Sequence, residues 1–257
     1  MDPVLYEERG PIAIITFNRE EKLNAMNSQV VSQVIEHLTR ANDSEHIRAV
    51  ILTGKGRAFV AGADIEEYSR QTPIQFTDYQ RRSRVMFDKI EKNKKVVIAA
   101  VNGYALGGGF ELVLSCDLAV ASSEAKLGLP EIHLGLLPGG GGTQRLTRLI
   151  GERRAKYYML TGRSLSAQEA FELGVINTVC PAEELMETAL QLAQSIASRA
   201  PLAVQEGKKL IHDGLDGSLE TGITLEGAVI GNLYVTDDAK EGIRAFVEKR
   251  KPNFQGS

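Results

Sequence analysis

Three consecutive glycines, Gly107-Gly108-Gly109, separate an apolar run from a carboxylate, Glu111. Glycines at such a junction let a ligand lie against bare backbone. They also leave the N–H groups of a following helix turned toward negative charge. A second small-residue loop, Ala61-Gly62-Ala63-Asp64, follows another apolar stretch. One N–H from each loop can clamp a single oxygen, and each well-placed donor to a developing oxyanion is worth roughly 3–4 kcal/mol. A third turn, Pro138-Gly139-Gly140-Gly141-Gly142-Thr143, exposes further backbone N–H and C=O groups ahead of a helix, where a small molecule or water can be held. Glu131, between Pro130 and the apolar Ile132, is the second carboxylate. Two carboxylates beside one oxyanion clamp have the makings of a general acid and a general base. Each feature also has a plainer explanation: a tight turn, a hinge, a carboxylate favoured by a helix dipole, an exposed glutamate. Spacing does not prove that they converge.

Other chemistries find less support. The glycines lack the GxGxxG spacing of a dinucleotide site and the lysine of a P-loop. His37, His46, His133 and His212 are scattered without metal-ligand spacing. Neither Ser115 nor Ser122 sits in a G-x-S-x-G frame.

The elements that would hold these loops are legible in the apolar pattern. Ile12–Phe17, Ala49–Thr53, Val96–Val101 and Leu118–Ala121 read as strands, with Lys126–Leu129 as a further short one. Asn27 or Ser28 caps a helix whose apolar face is Val30, Val31, Val34, Ile35 and Leu38. Gln75–Lys92 reads as a surface helix or lid with Phe76, Tyr79, Val85, Met86 and Ile90 inward. The helix opened by Pro138–Thr143 carries Leu146, Leu149 and Ile150 on one side. Beyond about Gly151 the chain turns mostly helical, interrupted by one strand, Val175–Val179. Ser166 with Glu169 has capping-box spacing, and Pro181 and Pro201 suit first helical positions. The overall pattern is α/β. We expect a core over residues 1–195 and a helical region over 196–257 that makes subunit contacts.

The chain has 257 residues, 43% of them hydrophobic and 25% charged, enough for a large globular core. A net charge of -3 provides no global field for nucleic acid, and Arg81-Arg82-Ser83-Arg84 is the one candidate basic patch for RNA. The two cysteines, Cys116 and Cys180, lack CxxC spacing, which fits free thiols in a reducing compartment. The first residues show neither an apolar signal core nor a transit pattern, and no window reaches the length of a membrane span. The expected location is cytoplasmic, with no membrane partner.

Several segments, taken in order, resemble the enoyl-CoA hydratase (crotonase) family: Ala61-Gly-Ala-Asp-Ile65, Asn102 to Leu112, Leu129-Pro-Glu-Ile132 and Gly135 to Leu146. Phe17-Asn-Arg19, Leu23-Asn-Ala-Met26 and Leu160 to Ala170 are also similar to it. The resemblance runs from about Ile12 to Phe254. It implies a spiral of repeated ββα units with a C-terminal helical trimerisation region, often paired into hexamers, and an acyl-CoA thioester as substrate. By motif position, the amides of Ala63 and Gly108 would form the oxyanion hole, Glu111 and Glu131 would be the catalytic pair, and Gly139 would hold the attacking water. Ala61, Asp64 and Ile65 would contact substrate. For the coenzyme A phosphates, Lys249, Lys251 or Arg57 are the candidate cations. No metal or separate cofactor is expected, coenzyme A being part of the substrate.

Glutamate at both positions favours hydration over double-bond isomerisation, for which the family generally keeps only the second carboxylate. A methylglutaconyl-CoA hydratase-like activity on branched chains is the alternative. An RNA-binding relative in the family supplies a rival from another class, with little here to carry it.

Overall fold

In the computed structural model, which describes residues 2–257, the chain opens with an antiparallel pair, β1 (Val4–Arg9) and β2 (Ile12–Phe17), and α1 (Ser28–Asp43). Asn27 caps α1 by accepting from the Val30 N–H at 2.9 Å. A strand–strand–helix unit then repeats. β3 (Ala49–Gly54) and β4 (Ala58–Val60) lead into the short α2 (Ile65–Tyr68) and the long α3 (Pro73–Glu91). β5 (Val96–Val101) and β6 (Tyr104–Leu106) lead into α4 (Gly108–Ser115). β7 (Leu118–Ser122) and β8 (Lys126–Gly128) lead into a 3-10 turn, Pro130–Leu134, then α5 (Gly142–Ile150) and α6 (Glu152–Thr161). After β9 (Leu165–Ser166), α7 (Ala167–Glu172) and β10 (Thr178–Cys180) come α8 (Leu185–Ala197), α9 (Pro201–Gly214), α10 (Leu219–Tyr234) and α11 (Asp237–Val247).

In each repeat the first strand joins a six-stranded sheet, order β1-β2-β3-β5-β7-β10, and the second joins a four-stranded sheet, order β4-β6-β8-β9. This is the ββα spiral. A parallel strand covered on both faces must be apolar at every position, and β5 is buried at all six. Its side chains alternate between two cores, because successive Cβ atoms point to opposite faces. Val97, Ala99 and Val101 face the interior of the spiral, while Val96, Ile98 and Ala100 pack under Leu185, Ala189 and Ala193 of α8.

The second sheet positions the site. β4, β6 and β8 are parallel neighbours, with Val60 beside Ala105 and Leu106 beside Gly128. Their carboxyl ends therefore lie side by side, and the loops leaving them carry Ala63, Gly108 and Glu131. Open parallel sheets bind ligands at this end of their strands.

Some expectations need correction. α3 is no detached lid: Tyr79, Ser83, Met86, Phe87 and Ile90 are buried against α1 and α4. Val85 falls off that stripe and is 44% exposed, whereas the polar Ser83 lies on it. Likewise Leu146 and Ile150 of α5 are buried while Leu149 faces out. The strand expected over Val175–Val179 begins at Thr178. The Val175 and Ile176 amides both donate to Ala170 O, closing the turn after α7, so their apolar side chains serve the core without pairing in the sheet. β6 and β9 are short and were missed.

The expected boundary at 195/196 falls inside α8, which belongs to the core by its packing. Beyond it, α10 buries none of its residues. Leu215, Leu219, Tyr234 and Phe246 are all more than two-thirds exposed. α9 is tethered to the core by Lys208, whose Nζ donates to Asp117 Oδ2 at 2.8 Å and to Lys95 O at 3.1 Å.

Candidate active site

The Ala61–Asp64 loop is set by Met26. Its N–H donates to Gly62 O and its carbonyl accepts from Asp64 N–H, both at 2.8 Å. Ala63 lies between these bonds, so its own N–H faces the other way. The second loop is set by glycine geometry. Gly107 has φ +53, a left-handed turn that lets the chain pass from β6 straight into α4. A Cβ on Gly109 would overlap the carbonyl of Val60, so α4 packs on β4 as closely as it does only without one. Among the described residues, neither Ala63 N–H nor Gly108 N–H donates to a protein acceptor.

Both loops line one cavity of about 330 Å³, together with Glu111, Glu131 and Gly139. Its wall is otherwise largely aromatic and aliphatic, with Tyr68, Phe76, Tyr79 and Phe87 from α2 and α3, and leucines such as Leu136 and Leu137 from the loop after the 3-10 turn. The predicted residues Ala61 and Ile65 line it as well.

Glu111 is 3% exposed and enters from the first turn of α4. Its Oε1 accepts from Gly140 N–H at 2.7 Å and Gly142 N–H at 2.8 Å. Burial pushes its carboxyl above the usual range, and the two amides and the Arg145 guanidinium pull against that push. Because Oε1 is occupied as an acceptor, Oε2 is the atom available to take a proton from a ligand. Glu131 sits in the Pro130–Leu134 turn. Its Oε2 is buried with no hydrogen-bond partner, and burial raises its pKa from 4.5 to about 7 against an opposing hydrogen bond from its own backbone, with a smaller upward push from the negative field of Glu111. Its other oxygen approaches the glycine loop: a Cβ on Gly107 would lie 3.2 Å from Glu131 Oε1. One carboxyl oxygen is held by two amide donors and one oxygen of the other carboxyl is left without a partner, an asymmetry that could separate the roles of two neighbouring carboxyls.

Asp64 departs from expectation. Its carboxylate caps α2, accepting from Glu67 N–H at 3.3 Å, and pairs with Arg19 at 2.9 Å. Burial raises its pKa, but Arg19 and the Glu67 amide outweigh that and hold the carboxyl low. Asp64 thus anchors the loop without lining the cavity. Lys249, Lys251 and Arg57 also lie off the cavity wall. Sequence reasoning missed Ser83 and Gln80, which line the wall from α3. They sit among charged neighbours in the sequence, and only the phase of the α3 stripe marks Ser83 as inward. Among the described residues no cluster of three or more His, Cys, Asp or Glu could hold a metal ion, and no helix is long and apolar enough to cross a membrane.

Known proteins resemble this chain over nearly its whole length. The profile of the family described as enoyl-CoA hydratase/isomerase matches residues 7–257. The short-chain-enoyl-CoA hydratase of Clostridium acetobutylicum is 41% identical over 252 residues, covering 98% of this chain and 97% of that one. The crotonyl-CoA hydratase of Syntrophomonas wolfei is 38% identical with the same coverage. A crystal structure of the enoyl-CoA hydratase from Bacillus anthracis superposes with a TM-score of 0.97 at 40% identity, covering 99% of this chain and all of that one. The chain belongs to the enoyl-CoA hydratase/isomerase family.

Proposed function

We propose that the protein catalyses the reversible addition of water to a trans-2-enoyl-CoA, giving a 3-hydroxyacyl-CoA. One relationship carries the proposal: Glu111 and Glu131 line the same cavity as two outward-facing amides, and Glu111 Oε1 is held by two loop amides while Glu131 Oε2 has no hydrogen-bond partner.

The thioester carbonyl oxygen accepts from the Ala63 and Gly108 amides, which draws electron density from the conjugated double bond and makes C3 electrophilic. Water held at Glu111 Oε2 and the Gly139 backbone attacks C3 as its proton passes to Glu111. The electron pair of the double bond moves onto the carbonyl oxygen as an enolate, which the two amides stabilise by roughly 3–4 kcal/mol each. Re-forming the carbonyl places that pair on C2, which takes the proton of Glu131. Glu111 ends protonated and Glu131 ionised, so the pair carries one proton before and after. General acid–base work of this kind is worth typically ~10²–10⁴-fold.

A short acyl chain is favoured by the names of the Clostridium and Syntrophomonas relatives, a short-chain-enoyl-CoA hydratase and a crotonyl-CoA hydratase. For the coenzyme A phosphates we propose Lys249 and Lys251, brought to the site by a second copy of the chain. The exposed apolar side chains of α9–α11 are the surface for that self-association into a trimer or hexamer. A reducing, cytoplasmic setting fits the two unpaired thiols.

The direct test is the absorbance of the conjugated thioester of crotonyl-CoA, which falls on hydration. Crotonyl-CoA left intact while 3-methylglutaconyl-CoA is consumed would move the substrate to the branched class. Both left intact would end the hydratase reading.

A further inference from the structure

The loop that grips Glu111 is itself gripped from behind. Gly140 N–H donates to Glu111 Oε1 at 2.7 Å, and the carbonyl of the same residue accepts from Arg145 Nη1 at 2.6 Å. Arg145 N–H also donates to Gly141 O at 2.9 Å, the first bond of α5, which places the side chain one turn beyond the loop. The rest of the guanidinium is committed to Glu91 of α3, with Nε–Oε1 at 2.9 Å and Nη2–Oε2 at 2.8 Å. Both side chains are largely buried, 15% and 19% exposed. A two-pronged ion pair of this kind fixes orientation as well as charge. Arg145 does not line the cavity, so it can act on chemistry only through the loop and its field.

We propose that Arg145, locked by Glu91, is a positioning residue: it fixes the Gly140–Gly142 loop so that two amides converge on Glu111. The inference rests on Glu111 being the base of the proposed reaction. A guanidinium that merely pinned α5 to α3 would need only the two bonds to Glu91. The third, to the Gly140 carbonyl, ties that pair to the residue whose N–H meets Glu111.

The charges around Glu111 set the sign of the effect. Arg145 faces it from α5, Glu131 from the 3-10 turn and the Tyr68 hydroxyl from α2. Glu91 stands behind Arg145, with His212 Nδ1 of α9 at 4.0 Å from Glu91 Oε1. Arg145 opposes the upward push of burial. Arg145→Gln removes that cation and leaves the Glu91 carboxylate unpaired, so Glu111 protonates at higher pH. A nearby opposite charge typically shifts a carboxyl by about 1–3 pH units, and the shift expected here is about one unit. Arg145→Lys keeps a charge but not the fork, so it leaves the protonation midpoint near the wild-type value and lowers kcat severalfold, with KM little changed.

Two readouts test this. The carboxyl C=O stretch of Glu111, identified by its loss in Glu111→Gln, is titrated by infrared difference spectroscopy without any turnover. The acid limb of kcat/KM for crotonyl-CoA hydration is followed in parallel, with circular dichroism as a check on folding. An upward shift of about one unit in folded Arg145→Gln, seen in the infrared titration, supports the inference even if crotonyl-CoA is not the substrate. An unmoved infrared midpoint with kcat lowered evenly at every pH reduces the pair to a structural tie. Should Arg145→Gln not fold, Arg145→Lys decides, and wild-type kcat in that variant overturns the inference.

Discussion

Glu131 Oε2 is buried and accepts no hydrogen bond, whereas Glu111 Oε1 accepts two, from Gly140 and Gly142. Donors to a buried carboxylate favour its ionised form and oppose the push of burial. The two side chains are chemically identical, so in the proposed reaction it is the loops around them that divide the work.

The division predicts the effect of removing either carboxyl. Glu111→Gln and Glu131→Gln should each lower kcat for crotonyl-CoA hydration by about 10²–10⁴-fold. The double variant should lose little more than the worse single one, because each group is useless without the other. Additive losses on the logarithmic scale would contradict a coupled pair.

The pH profile of kcat/KM should be a bell whose alkaline limb lies near 7, where Glu131 loses its proton. The acid limb belongs to the second protonation of the pair. Hydration needs Glu131 protonated and Glu111 ionised, dehydration needs the reverse, and both forms carry one proton. The same bell should therefore appear in both directions. Profiles that differ between crotonyl-CoA and 3-hydroxybutyryl-CoA would refute the shared proton.

Replacing Glu131 should raise alkaline stability while it lowers activity. Its folded pKa, about 7, lies above the ordinary 4.5, so the folded state binds more protons than the unfolded state between those values. Stability from this group is complete below about 4.5 and is lost as pH rises through about 7. Glu131→Gln removes a buried charge at alkaline pH. Its melting temperature should exceed that of the wild type above pH ~7 and converge with it below ~4.5. A variant less stable than wild type at alkaline pH would argue against the burial assigned to this carboxyl.

Gly140→Ala tests the loop without replacing a carboxyl. The added methyl would stand 2.8 Å from Glu111 Oε2 and overlap the Phe87 ring. Crowding of this kind costs typically ~1–3 kcal/mol. The expected outcome is a stable protein with at least about tenfold lower kcat, measured with crotonyl-CoA and by denaturant titration. Wild-type kcat would show that the loop yields freely.

Lys208→Met isolates the tether of the helical region. Asp117, which also accepts from Val97 N–H at 2.7 Å, would keep a largely buried charge with its cation gone. Breaking one side of such a pair typically costs ~3–5 kcal/mol, readable as a lower urea midpoint. Asp117→Asn with Lys208→Met should recover much of the loss.

Much of this site could be read from the chain because glycine and apolar runs report backbone demands directly. Val96–Val101 had to be a buried strand, and Gly107–Gly109 had to be a turn into a helix. Convergence was less accessible. Residues 63, 108 and 131 meet because β4, β6 and β8 lie side by side, and β6 is three residues long, too short for alternation to reveal. Facing on α3 was misjudged at Val85 because hydrophobicity ranked it above Ser83, while the phase of the helix placed Ser83 inward. The Arg145–Glu91 pair joins residues 54 apart in the chain, a separation that carries no local signal.

Each of the three adjacent strand ends has its own loop, anchored by its own following helix. The parts proposed to hold a thioester oxygen are therefore built separately from the part proposed to deliver a proton. Rewriting the Pro130–Leu134 turn would change what is done to the acyl group while leaving its handle in place. Such a scaffold can inherit a grip and exchange its tool.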